Sequence, residues 1–180
     1  MAVRNKMRAA EGNRNTRHSL NSAAHSTVLV IGLGNPLRGD DSVGRVIAAG
    51  VKRRNQPFLR VVESSGEGTG LMELWVNAGT VIVVDAVASG AETGTVHRFD
   101  ASQRALPVRF RGGSTHAFGL GEAVELARAL HQLPRRLIVF GIEGKRFDVG
   151  SNLSTQVKKM VPRVVERVLE EARRQIMNAE

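Results

Sequence analysis

Thr80-Val81-Ile82-Val83-Val84-Asp85-Ala86-Val87 opens with five consecutive β-branched residues and then meets a single acid. An unbroken apolar run of this length reads as a strand covered on both faces, and such strands belong to parallel sheets flanked by helices. Asp85 is the exception within it. A carboxylate at the end of a buried strand must face an aqueous crevice, a cation or hydrogen-bond donors, because an unpaired buried charge is too costly.

Outward from this strand the pattern alternates. Residues 27–31 form another apolar run, which empties into the loop Gly32-Leu33-Gly34-Asn35-Pro36. The spacing over 42–54 predicts a helix with Val43, Val46, Ile47 and Val51 on one face and Asp41 or Ser42 as its cap. Residues 58–63 read as a strand, 70–78 as a helix, and 95–99, short and alternating, as an edge strand. A loop over 101–115 precedes a helix near 119–131, and 137–141 is a further buried strand. The last helix, 153–176, carries Leu153, Val157, Val161, Val164, Val168 and Ala172 at helical spacing. Pro162 within it predicts a kink or a split. Together these elements predict one α/β domain over residues 27–180, a mainly parallel sheet with helices on both faces.

Residues 1–26 differ in kind. Rich in Asn, Ser, Arg and Ala and without periodicity, they read as a disordered basic N-terminal extension. Five basic residues and one acid fall there, so nearly half of the net charge of +9 lies outside the domain. A basic chain invites a nucleic-acid partner. With aromatics at only 4%, however, stacking platforms are scarce, and the reading is of no nucleic-acid partner. No apolar run is long enough to span a bilayer, so no membrane span is expected and the location reads as cytoplasmic. The absence of cysteine excludes a disulfide framework, a thiolate metal site and a cysteine nucleophile.

In a sheet of this type ligands bind beyond the carboxyl ends of the strands, near the switch in strand order. That rule selects Asn35, Asp40 and Asp41 after the first strand, then Glu63, Glu67 and Thr69 after the second. Asp85 ends the third, and His116 lies in Ser114-Thr115-His116 before a helix. Two carboxylates and a histidine on one sheet edge suit divalent-metal or acid–base chemistry. Adjacent Asp40 and Asp41 cannot point the same way, so one is expected to cap the helix and the other to face the cleft. The Gly32-Leu33-Gly34 loop lacks the third glycine of a dinucleotide site, since Leu37 stands there, and the two aspartates would repel a pyrophosphate. No organic cofactor is expected. His18, His25, His97 and His131 lie in the extension, on the edge strand or at a helix end and are not site candidates.

The segment from Gly32, Gly34 and Asn35 through Asp40, Asp41 and Gly44 resembles the nickel–iron hydrogenase maturation endopeptidases. So do Val83-Val84-Asp85-Ala86, Ser114-Thr115-His116-Ala117-Phe118-Gly119-Leu120, and the pair Gly141-Ile142-Glu143-Gly144 and Leu153-Ser154-Thr155-Gln156-Val157. The similarity covers about residues 27–175. It implies a three-layer α/β/α fold with a five-stranded sheet, one strand antiparallel. It also implies an endopeptidase, aspartic-type or metal-dependent, that removes the C-terminal extension of a hydrogenase large-subunit precursor once nickel is in place. Carried over motif by motif, the metal-recognition residues fall on Asp41, Asp85 and His116, the two aspartates also being the catalytic acids. Gly34, Asn35, Asp40 and Thr69 form the supporting loops. Nickel would be presented by the substrate. Asp41 stands where relatives often have glutamate, and Glu63-Ser64-Ser65-Gly66-Glu67-Gly68-Thr69 replaces a common Asp-Gly-Gly-Thr loop. Two alternatives share parts of the pattern. A peptidyl-tRNA hydrolase-like esterase has a similar Gly-Leu-Gly-Asn-Pro segment, and a non-cleaving metal-binding chaperone would use the same three ligands.

Overall fold

The structure, a computed structural model, describes residues 27–107 and 119–178. The N-terminal extension, with its expected disorder, and His116 lie outside the described residues.

Apolar β-branched runs make the interior of the sheet. β1 (Val28–Leu33) and β3 (Thr80–Val87) are buried along almost their whole length, as is β5 (Arg136–Glu143). β2 (Leu59–Ser64) and β4 (Val96–Asp100) are only half covered. That difference follows from position: the order is β2-β1-β3-β5-β4, so the two half-covered strands are the edges. β1 pairs in parallel with β2 and with β3, and β3 with β5. β4 runs antiparallel to β5, with Arg98 opposite Phe140. The expected mainly parallel sheet with an edge strand near 95–99 is therefore present, and the reversed strand is that edge.

Alternate residues of each strand face opposite layers. Val28, Val30, Ile82, Val84, Ile138 and Phe140 pack under α1 (Val43–Lys52) and α4 (Thr155–Met177). Leu29, Ile31, Val81, Val83, Leu137 and Val139 pack under α2 (Gly68–Trp75) and α3 (Leu120–Ala129). These helices make the outer layers of an α/β/α sandwich. Each such side chain, fully buried, contributes about 1.5–3 kcal/mol.

α4 corrects one expectation. It runs unbroken through Pro162 for 23 residues, neither split nor ended there. Pro162 lies on the exposed side of the helix, as does Lys158, whose carbonyl loses its helical donor. Water can satisfy that carbonyl, so the proline costs one hydrogen bond and not the helix.

Two glycines set the depth at which α1 lies on the sheet. A Cβ on Gly44 would stand 2.3 Å from the carbonyl oxygen of Val84 and 2.4 Å from that of Leu33. One on Gly32 would stand 2.3 Å from the carbonyl oxygen of Gly44. Backbone meets backbone here, which brings the start of α1 directly over the carboxyl ends of β1 and β3.

Candidate active site at the carboxyl edge of the sheet

Between β1 and α1 the chain makes a 3-10 turn, Gly39–Ser42, that packs against β3. β1 connects across to β2 on one side, whereas β3 and everything after it builds on the other. The crevice between the ends of β1 and β3 is thus the switch point of the sheet. Asp41 enters it from the turn and Asp85 from β3. Asp85 shares the strand face of Val81 and Val83, the side covered by α2 and α3.

The two acids of the turn divide their work in a way the sequence did not predict. Asp40 is fully buried. One carboxylate oxygen accepts the N–H groups of Lys145, at 2.8 Å, and Arg146, at 2.9 Å, and the other accepts that of Ser154, at 2.6 Å. Burial alone would raise its pKa, but these backbone donors outweigh it and hold the carboxyl below its ordinary value. Asp41 accepts the N–H of Asn35 at 2.9 Å, closing the loop that leaves β1. Neither acid caps α1, whose N-cap is Ser42 without a side-chain bond. The expectation of one cap and one cleft acid is corrected: Asp40 ties two distant loops together, and Asp41 faces the crevice.

Gly34 makes the tight approach possible. Its φ is +122°, and a Cβ there would lie 1.7 Å from the carbonyl oxygen of Asp41. The Asn35 side chain accepts the N–H of Leu37 at 2.9 Å, an Asx turn that shapes the same loop.

Asp85 is partly buried, and Ala86 donates its N–H to one carboxylate oxygen at 2.8 Å. Its pKa is pushed up to about 7, first by burial and then by the negative charge of Asp41, against the smaller pull of the Ala86 bond. Facing the negative charge of Asp41 across a poorly solvated gap, Asp85 keeps its proton up to near neutrality. Such a pair can shuttle protons or receive a cation.

The remaining candidates among the described residues are exposed. Thr69 is exposed in the first turn of α2, and Glu67 is the exposed N-cap of that helix. Glu63 is exposed and pairs with Arg45 of α1 at 3.1 Å. No group of three potential metal ligands is found among the described residues. Because His116 falls outside them, the expected trio reduces here to its two carboxylates.

Glu143, at the end of β5, is a buried acid that sequence reasoning noted only inside a motif. It is 2% exposed. It accepts the N–H groups of Ser89 and Gly90 at 2.7 and 2.9 Å and the Ser89 hydroxyl at 2.8 Å, and His97 Nε2 approaches it at 3.5 Å. These bonds fix the turn that follows β3. The available signal was the same as for Asp85: one acid at the end of a wholly apolar strand.

An α/β/α sandwich with an acid pair at its switch point has the equipment of a hydrolase that works by acid–base or cation-assisted chemistry. Comparison with known proteins narrows the class. The model of the hydrogenase maturation protease family HycI matches residues 45–171. The hydrogenase expression/formation protein HupD of Thiocapsa roseopersicina is 28% identical over 149 residues, covering 79% of this chain and 66% of its own. The hydrogenase 2 maturation protease of Escherichia coli is 25% identical over 146 residues, covering 79% and 88%. In three dimensions, the hydrogenase maturating endopeptidase HybD of E. coli superposes with a TM-score of 0.69 over 82% of this chain and 93% of that one, at 20% identity. The chain belongs to the hydrogenase maturation protease family, and it is a peptidase.

Proposed function

We propose that this peptidase removes the C-terminal extension of a nickel–iron hydrogenase large-subunit precursor after nickel insertion, with Asp41, Asp85 and His116 as its metal-recognition residues. The observation that carries this reading is the placing of Asp41 against Asp85 at the switch point, close enough for its charge to act on Asp85. A partly buried pair of repelling carboxylates is stabilised by a divalent cation, which takes the place of the proton on Asp85. Carboxylates and an imidazole suit a borderline cation and leave positions for the substrate's own ligands.

His116 belongs to the proposal through connectivity. It stands three residues before Gly119, the N-cap of α3, and three residues reach at most about 11 Å. α3 packs on the face of the sheet to which Asp85 points. Nickel arrives as part of the substrate. Its docking against the acids would seat the scissile peptide beside them, where a carboxylate takes the proton of the attacking water. Cleavage then depends on metal loading. Asn35 and Gly34 hold Asp41 in place, Asp40 anchors the loop behind it, and Thr69 borders the neighbouring loop. A cytoplasmic setting is part of the same proposal.

The test is mass spectrometry of nickel-loaded and nickel-free precursor incubated with the protein. The expected result is loss of a C-terminal peptide from the loaded form only, abolished in Asp85→Asn and in His116→Ala. Full processing by both variants would sink the site assignment. Equal cleavage of the nickel-free form would sink the dependence on metal.

A further inference from the structure

Next to the acid pair, two loops far apart in sequence are fastened into one surface. Gly150 donates its N–H to Leu37 O at 2.8 Å, Gly39 to Ser151 O at 3.1 Å, and Asp40 to Arg146 O at 2.7 Å. Arg38 Nε donates to Phe147 O at 3.1 Å, and the buried Asp40 carboxylate holds Lys145, Arg146 and Ser154 from beneath. Loops held this firmly ordinarily turn their apolar side chains inward. Phe147 does so, packing on the core, but Leu37 is 66% and Val149 is 77% exposed, and Pro36 is also exposed. Single exposed apolar residues are common on any surface, but two on rigidly joined loops beside a catalytic crevice form a prepared contact. Lys145 and Arg146, exposed on the same loop, pair with no acid among the described residues.

We infer that the joined loops, with Leu37 and Val149 at the centre and Lys145 and Arg146 at the rim, form a docking platform for the protein substrate, accepting an apolar segment flanked by acidic side chains. This rests on the proposed cleavage of a folded precursor and adds the contact by which that precursor is gripped. Two features on the page support the occupant. The platform is continuous with the crevice, since Leu37 lies four residues before Asp41 on the same loop. Lys145 and Arg146 outnumber the exposed Asp148 on the same loop, so its balance is positive, opposite to the acid pair, and a partner bearing a cation for the acids and carboxylates for the rim would be oriented by both. Apolar burial at the centre supplies affinity and the charged rim supplies register.

The experiment measures steady-state cleavage of the nickel-loaded precursor by the full chain, by the double variant Leu37→Ser with Val149→Ser, and by the double variant Lys145→Glu with Arg146→Glu. All four side chains are exposed, and the Asp40 bonds use only the backbone of 145 and 146, so both variants should fold; melting curves check this. The expected outcome is an increase in KM of about tenfold for the apolar pair with kcat unchanged. For the charge pair we expect about a fivefold increase that shrinks as salt is raised. Wild-type cleavage with KM unchanged in both variants overturns the platform alone. A wild-type protein that leaves the precursor uncut overturns the functional reading and the platform with it.

Discussion

Replacing Asp85 by asparagine should make the protein more stable at high pH while removing its activity. The unfolded carboxyl ionises near 3.8, whereas the folded one keeps its proton up to about 7. Between those values the native state binds the extra proton, so stability falls as pH rises. The contribution of the protonated side chain is whole below pH 3.8 and lost by the time pH has risen through about 7. A displacement of this size corresponds to about 4 kcal/mol at the ceiling, and solvent at the sheet edge should reduce it to roughly 2–3 kcal/mol. Asparagine has nearly the same shape, can still accept the Ala86 N–H, and never carries the charge that Asp41 repels. Urea unfolding at pH 4 and pH 8.5 measures the effect. We expect the variant to match the wild type at pH 4 and to exceed it at pH 8.5. A difference between the two proteins that does not change with pH would refute the reasoning, because it would mean that Asp85 ionises alike in the folded and unfolded chains.

Asp41→Asn removes the negative charge beside Asp85, so the Asp85 carboxyl should ionise at lower pH, read directly from its carbon-13 chemical shift during titration. Gly44→Ala forces a Cβ within 2.3 Å of the Val84 carbonyl oxygen, where nothing flexible can yield. A loss of about 1–3 kcal/mol, seen as a lowered Tm, is expected, together with impaired cleavage as α1 lifts from the sheet. Glu171 is buried on α4, and its carboxylate accepts both Arg98 Nε and a terminal nitrogen of Arg98 at 2.9 Å. Burial alone would raise its pKa, but Arg98, Arg174 and Gln175 hold it at about 2 against an ordinary 4.5. That stabilisation is complete above pH 4.5 and lost as pH falls through 2. Glu171→Gln should cost about 3 kcal/mol at pH 7 and progressively less in acid, measured by unfolding at pH 7, 4 and 2.5.

The legible parts of this molecule are those whose cause is local. β3 reads as a buried strand because five β-branched residues permit little else, and Asp85 stands out because nothing around it in sequence is polar. Edge strand β4 is visible for the opposite reason, being short and half covered. What was not legible depends on partners remote in sequence. Asp40 and Asp41 look alike, and only Lys145, Arg146 and Ser154, more than a hundred residues later, assign the first to holding loops. The chemistry of Pro162 predicts a break, but the helix tolerates it because its missing bond faces water, which no local pattern reveals. Glu143 satisfies the criterion that singles out Asp85, but Gly141 resembles a strand end, and β5 in fact runs on to Glu143.

The antiparallel edge strand has a consequence for the electrical character of the crevice. A strand that feeds a parallel crossover delivers its carboxyl end to the N-terminus of a helix, whose partial positive charge stabilises any anion placed there. β1 does this, and Asp41 stands just ahead of α1. β3 does not: it passes through a turn into β4 and reaches no helix. Asp85 is thus the one acid of the pair left without that support. Because β4 turns back along the sheet edge, the crevice receives one such helix end from its two central strands, on the side of Asp41.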